Sequence, residues 1–185
     1  MGLINIVIVN GSPRKEGRTG KLSAIISKKY NIKTIDLSEL TLPIYNGQED
    51  QNELANIKML RAELENADAM IVATPEYHGG MSGALKNALD FLGSKHFKDK
   101  PVALMAVSGG GKGGINALNN MRIVLRALYA NVLSKQLVID PTDFIQGGVA
   151  LAEESSYLVN GLIQELKIYT QLTKKLNEEW SASNY

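Results

Sequence analysis

The 185-residue sequence contains no cysteine. That absence excludes disulfides, thiolate nucleophiles, Cys-held iron–sulfur clusters and Cys-ligated zinc. Histidine is scarce as well: His78 and His96 are too few for a His-rich metal centre, and no metal site is expected. Excess charge is missing too, since 20 Lys and Arg against 19 Asp and Glu leave a net charge of +1. Nothing would steer a polyanion toward the surface, so nucleic acid is not an expected partner. No apolar run approaches the roughly 20 residues needed to span a bilayer, which removes a membrane partner from the expectations. The N-terminus enters an apolar run with no charged lead-in or small-residue cleavage site, so no export signal is read and a cytoplasmic protein is expected. What remains is ordinary: 44% apolar and 21% charged residues suit one soluble domain over residues 1–185 with an ample core.

The chain alternates strand and helix patterns. Residues 3–9 form a β-branched apolar run, as expected of a strand buried on both faces. Leu22, Ile25 and Ile26 then follow at helical spacing. Residues 32–36 make a second strand. Leu54, Ile57, Leu60 and Leu64 form one stripe of a helix over residues 51–65. Residues 69–73 make a third strand, and Ser82 is placed to cap a helix carrying Leu85, Leu89 and Leu92. Residues 102–107 read as a fourth strand, followed by a helix with Leu118, Met121, Leu125 and Leu128. Residues 132–139 are more mixed and suit an edge strand. The last helix, over residues 153–179, is marked by Leu158, Leu162, Leu166, Tyr169, Leu172 and Leu176. This alternation predicts an α/β fold: a doubly wound, five-stranded parallel sheet with helices on both faces.

Such sheets bind ligands beyond the carboxyl ends of their strands, where strand order reverses. In the order 2-1-3-4-5 the first, third and fourth strands are neighbours, and the loops leaving them are rich in Gly. The first loop, residues 10–20, reads Asn-Gly-Ser-Pro-Arg-Lys-Glu-Gly-Arg-Thr-Gly. It leads from strand to helix, offers the hydroxyls of Ser12 and Thr19, and carries Arg14, Lys15 and Arg18, with Lys21 just beyond. A helix start with unpaired N–H groups and these charges suits a phosphate. It is not a Walker A loop, because Lys15 stands where the first Gly belongs, nor a dinucleotide loop, because Pro13 replaces the second Gly.

The second loop, residues 74–81, is Thr-Pro-Glu-Tyr-His-Gly-Gly-Met. Gly79 and Gly80 allow close approach of the backbone, while Tyr77, His78 and Met81 offer flat or soft surface. Simple packing of Tyr77 over the sheet edge is an equal alternative. Glu76 is read as turning back to cap the third helix or to pair with a basic residue. No acid is placed to orient His78 as a general base. The third loop, residues 108–114, has five Gly in seven positions and contains the spacing Gly109-x-Gly111-x-x-Gly114. No acid occurs at residues 129–139 to hold a ribose, so close approach of Gly backbone to a flat group is the better reading.

Gly11-Ser12-x-Arg14 with Thr19 and Leu22 resembles a known pattern. So does the run from Pro75-Glu76-Tyr77-His78-Gly79-Gly80-Met81-Ser82-Gly83 through Leu85-Lys86-Asn87-Ala88-Leu89-Asp90. Both are similar to the NAD(P)H-dependent FMN reductase family of flavodoxin-like proteins, most of all to its bacterial azoreductase and quinone reductase members. The likeness covers nearly the whole chain, including Ser108-Gly109-Gly110. It implies that Ser12, Arg14 and Thr19, with Arg18 and Gly20 beside them, hold the phosphate of FMN. It implies that Pro75, Glu76, Tyr77, His78, Gly79 and Gly80 line the isoalloxazine ring, and that Ser108, Gly109, Gly110 and Gly111 close the site. Gly17 stands where many members have Ser, and Thr19 where many have Asn, so the contact at Gly17 falls to the backbone.

The resemblance further implies hydride transfer from NADPH or NADH to FMN and onward reduction of a small acceptor such as an azo dye, quinone, nitroaromatic or free flavin. No catalytic side chain is expected, because the cofactor carries the chemistry. The resemblance also implies a homodimer or homotetramer built through the second and third helices, with residues 42–48 near the partner's flavin. Two readings compete: a flavodoxin-type electron carrier, usually strongly acidic where this chain is near neutral, and a non-enzymatic nucleotide-binding subunit. A phospho-acceptor receiver is rejected, since Asn10-Gly11 and Thr74-Pro75 stand where it needs acids.

Overall fold

The computed structural model describes residues 4–110 and 113–183. Five parallel strands run in the order β2-β1-β3-β5-β6, the flavodoxin-like arrangement. They are β1 (Ile6–Asn10), β2 (Lys33–Asp36), β3 (Ala69–Tyr77), β5 (Pro101–Val107) and β6 (Asn131–Ile139). A two-residue strand, β4 (Gly80–Met81), pairs antiparallel with the end of β3. The helices are α1 (Arg18–Tyr30), α2 (Ala55–Asn66), α3 (Gly83–Asp90), α4 (Ser94–Phe97), α5 (Ile115–Ala127) and α6 (Glu153–Ser183). A small hairpin, β7 (Phe144–Ile145) with β8 (Ala150–Leu151), separates β6 from α6.

The two-residue period of the strands sorts the core into two layers. Val7, Val9, Met70, Val72, Val102 and Leu104 meet Leu60 and Leu64 of α2, Leu85 and Leu89 of α3, and Leu118, Met121 and Leu125 of α5. Ile6, Ile8, Ile71, Met105 and Val107 meet Leu22 and Ile26 of α1 and Val159, Leu162, Ile163 and Leu166 of α6 on the other side. Each such side chain contributes about 1.5–3 kcal/mol by leaving water. At the end of α1, Asn31 adopts the left-handed conformation (φ 53°, ψ 49°) and its N–H bonds the Ser27 carbonyl, which stops the helix.

The expected sheet order and two-sided cover are found, and β6 lies at an edge. Several boundaries move. Residues 51–53 form part of a 3-10 turn rather than the start of α2, and Leu54 is exposed. The third strand runs four residues past Ala73, to Tyr77, because it continues to pair with β5 as far as Pro75 opposite Val107. Leu92 lies beyond α3 and is buried nonetheless. In α6 the expected stripe is displaced: Leu158, Tyr169, Leu172 and Leu176 are exposed, while Val159, Ile163 and Thr170 lie inside with Leu162 and Leu166.

His96, in α4, is buried beside α2. The Gly93 N–H donates to its Nδ1 at 2.9 Å, and its Nε2 is buried with no partner among the described residues. Burial holds its pKa below the ordinary 6.5, opposed by the Gly93 carbonyl 3.1 Å from Nδ1, which favours the protonated ring. Below pH 6.5 the unfolded chain therefore binds a proton that the folded chain resists, so stability is fully present above 6.5 and falls as pH drops from there. We expect the thermal unfolding midpoint to decrease between pH 7 and pH 5, and His96→Asn to flatten that slope. An equal slope in the variant would assign the effect to other groups.

Candidate functional site

Strands β1, β3 and β5 are adjacent, so the turns at their carboxyl ends face one another. The first turn is shaped by short local bonds. Asn10 is fully buried; its Nδ2 donates to Asp36 Oδ1 at 2.8 Å, and its Oδ1 accepts the Ser12 N–H at 3.1 Å. The Ser12 hydroxyl oxygen accepts the Arg14 N–H at 3.1 Å, and the Gly17 N–H donates to the Arg14 carbonyl at 3.1 Å. These side-chain turns roll the chain into α1. Gly17 is the N-cap of α1, no side chain caps the helix, and its first turn holds no acid. A Cβ at Gly17 would stand 2.9 Å from Ser12 Oγ and 3.0 Å from the Arg14 carbonyl oxygen. A side chain at this position would require the Ser12 hydroxyl and the Arg14 carbonyl to shift by a few tenths of an ångström.

The second segment is the end of a strand rather than an open loop. Tyr77 pairs with Gly80 across a two-residue turn, His78 (φ 51°) and Gly79 (φ 78°). Positive φ at both central residues is the hairpin turn whose twist matches the strands. Thr74 Oγ1 accepts the Ser82 N–H at 3.1 Å, and Asn120 Oδ1 of α5 accepts the Met81 N–H at 3.4 Å. Ser82 caps α3, as expected, by accepting the Leu85 N–H at 3.0 Å. Its hydroxyl also donates to the Gly11 carbonyl, joining the second segment to the first. Glu76 does not cap α3. Its Oε2 accepts the N–H groups of Gly114 at 2.9 Å and Ala117 at 3.0 Å, and so caps α5. The β3 extension carries Glu76 past α3 toward the helix that follows β5.

In the third segment, the Ser108 N–H donates to the Ile139 carbonyl at 3.0 Å and its hydroxyl donates to the Asp140 carboxylate. The Asp140 N–H in turn donates to Asp143 Oδ2 at 2.6 Å, and Asp143 Oδ1 accepts the Ser155 hydroxyl at 2.8 Å. The loop after β5 is therefore anchored to the end of β6 and the start of α6. Beside Gly109 and Gly110 a Cβ would meet nothing within 4 Å, so both backbones border open space.

Together these segments enclose a cavity of about 110 Å³. Ser12, Arg14, Gly17, Arg18 and Thr19 line it from the first, Pro75, Glu76 and Tyr77 from the second, and Val107, Ser108 and Gly109 from the third. The Arg14 guanidinium lies 5.6 Å from the centre of the Tyr77 ring, within cation–π range. The remaining candidates lie elsewhere. Gly20 packs beneath Asn10, His78 and Gly79 form the hairpin tip, Gly80 pairs in β4, and Gly110 is exposed beyond Gly109. Gly111 lies outside the described residues. Two expected cations turn away: Lys15 pairs with Glu39 at 3.5 Å, and Lys21 Nζ donates to the Gly147 carbonyl at 3.3 Å.

Residues 4–143 match the family model for NADPH-dependent FMN reductase. The chain belongs to that family. It is 44% identical over 176 residues to an NADPH azoreductase of Bacillus sp. (strain OY1-2), covering 95% of this chain and 98% of that one. It is 38% identical to an FMN-dependent NADPH-azoreductase of Staphylococcus aureus (strain USA300) over 105 residues, 57% of this chain and 53% of the relative. The fold is that of the flavoenzyme NAD(P)H:(acceptor) oxidoreductase FerB from Paracoccus denitrificans, with a TM-score of 0.74, 22% identity, and coverage of 94% and 98%.

The donor set of this family member fits the phosphate of FMN. An uncapped, acid-free helix start opens beside the Ser12 and Thr19 hydroxyls and two guanidinium groups. The carboxylate of Glu76, which also borders the cavity, is already engaged by two backbone N–H groups. Residues that the sequence pattern passed over hold the site from behind: Asn10, Thr74 and Asp140. Asn directly before Gly at a strand end is an Asx-turn signal that points to Asn10; Thr74 and Asp140 act across sequence distances that no local pattern reveals. We expect Ser82→Ala to destabilise the fold by about 2 kcal/mol in urea unfolding, since it removes an N-cap and leaves the buried Gly11 carbonyl without its donor. A change below about 0.5 kcal/mol would show that the link between the two segments carries little.

Proposed function

We propose that this family member is an FMN-dependent oxidoreductase that takes hydride from NADPH or NADH and reduces a small acceptor, such as an azo compound, quinone, nitroaromatic or free flavin. One observation carries the site assignment: α1 begins, uncapped and free of acid in its first turn, in a cavity walled by the ends of β1, β3 and β5. In this reading the first-turn N–H groups, the hydroxyls of Ser12 and Thr19, and the guanidinium groups of Arg14 and Arg18 hold the phosphate. Pro75, Glu76, Tyr77, His78, Gly79 and Gly80 border the ring, and Ser108, Gly109 and Gly110 close the site. When bound, FMN supplies the two-electron chemistry between nicotinamide and acceptor.

The chain's own residues bind, orient and exclude. Tyr77, with Arg14 stacked near it, gives a flat wall. Glu76 fixes the start of α5 beside the third segment instead of moving a proton. The reading takes the whole of residues 1–185 as one cytoplasmic flavin-binding domain. It extends to a homodimer or homotetramer through α2 and α3. Supporting that, Asn87 of α3 holds the Pro43 carbonyl at 2.8 Å and the Tyr45 N–H at 2.9 Å, which leaves Ile44 between them 84% exposed.

Charge-assisted hydrogen bonds contribute about 1.5–3 kcal/mol each. Arg14→Ala should therefore weaken FMN by roughly ten- to a hundred-fold in equilibrium titrations while leaving riboflavin affinity nearly unchanged. Equal losses for both would place the phosphate elsewhere. Nicotinamide and acceptor are both flat and both need close contact, so they take turns at one open face. Initial-rate measurements should give parallel double-reciprocal lines, and intersecting lines would contradict a shared face.

A further inference from the structure

The C-terminal half of α6 leaves the core. The helix has 31 residues and so extends roughly 46 Å at about 1.5 Å per residue. Thr170 is the last buried side chain among the described residues of the helix. Beyond and beside it, Ile168, Tyr169, Leu172, Leu176 and Trp180 are exposed, Leu172 to 51% and Leu176 to 64%. Their spacing puts them on one flank of the helix, turned from the buried Leu162–Leu166–Thr170 side toward the open edge of the sheet.

There Tyr169, Leu172 and Leu176 of the stripe form one wall of a cleft of about 610 Å³. The floor is the edge strand β6 at residues 131–134, and the opposite wall is the end of α5. Arg122 and Arg126 are the charged groups among the described lining residues. The cleft is thus apolar on one wall and basic on the other. Apolar side chains grouped on one exposed flank, rather than scattered singly, are the pattern of an interaction site.

We propose that this cleft receives the C-terminal half of α6 from a second copy of the chain, the two helices lying antiparallel. Charge selects that occupant and that direction. The stripe is embedded in Lys174-Lys175-Leu176-Asn177-Glu178-Glu179, which is basic before its midpoint and acidic after it. In an antiparallel pair crossing at Leu176, Leu176 meets its own copy and Leu172 meets Trp180. Lys175 then faces Glu178 of the second copy along the same flank. The acidic last turns, at the negative end of the helix dipole, enter the cleft that carries Arg122 and Arg126. A parallel pair would set Lys175 against the flank of Thr173 and Asn177 and leave the acids apart. The contact is isologous, with the same patch used on both copies, and lies on a different face from α2 and α3.

The absence of cysteine makes the register directly measurable. Leu176→Cys places the only thiol of the chain at the expected two-fold axis, and mild oxidation should give a disulfide-linked dimer. Tyr157→Cys, exposed at the other end of α6, should stay uncrosslinked under the same conditions. Leu172→Glu combined with Leu176→Glu should lower the particle mass in light scattering by one doubling, with the far-UV spectrum unchanged. Lys175→Glu and Glu178→Lys should each raise the dissociation constant at least ten-fold, and the double exchange should restore it. Equal crosslinking at 157 and 176, no crosslinking at 176, or an unchanged mass in the Glu variant would each overturn the proposal.

Discussion

The approach of Gly11 to Ala73, midway along β3, sets the rest of the site. The Gly11 N–H donates to the Ala73 carbonyl at 2.7 Å, and the Ser82 hydroxyl donates back to the Gly11 carbonyl. A Cβ at Gly11 would stand 2.8 Å from the Ala73 oxygen and 3.0 Å from Leu85 Cβ, so only glycine allows α3 and β3 to close on the first turn. That contact fixes where the turn from β1 begins. Asn10 and Ser12 then set its curvature, and the curvature aims the open start of α1 into the cavity. The geometry proposed to hold the phosphate is therefore a consequence of strand packing one layer below it.

The site needs no shifted acid or base for this role. Its polar groups are spent on shape: Glu76 on α5, Ser108 on Asp140, and Asp143 on Ser155. Each bond ties a mobile type of segment to a rigid element. A cofactor-dependent enzyme gains from this arrangement, because its protein part acts by position and exclusion more than by proton transfer.

Much of this was legible in residue order. Apolar runs at residues 69–73 and 102–107 read as buried strands, and the Gly-rich loops after them pointed to a site at the carboxyl end of the sheet. Ser82 announced a helix cap through its place before Leu85, and the structure adds its second bond, to Gly11. Other features depend on contacts that no local pattern encodes. The hairpin after Tyr77 hides behind Pro75 and two glycines, and the cap that Glu76 provides spans 38 residues to Gly114. Lys21 resembled a phosphate ligand until the β7–β8 connection brought the Gly147 carbonyl beside it. The α6 stripe misled for a physical reason: its helical spacing is real, but four of its six residues are exposed, three of them along the edge of β6.

The central claim is that this cradle holds FMN as a working hydride acceptor. The most direct measurement is an anaerobic titration of the FMN-loaded protein with NADPH, followed by absorbance near the flavin maximum. The account predicts that the flavin band bleaches in proportion to the NADPH added, reaches its end point at one equivalent per chain, and recovers when a quinone or azo dye is supplied. A band that keeps its full intensity with excess NADPH and with NADH, on protein that retains its FMN, would contradict it.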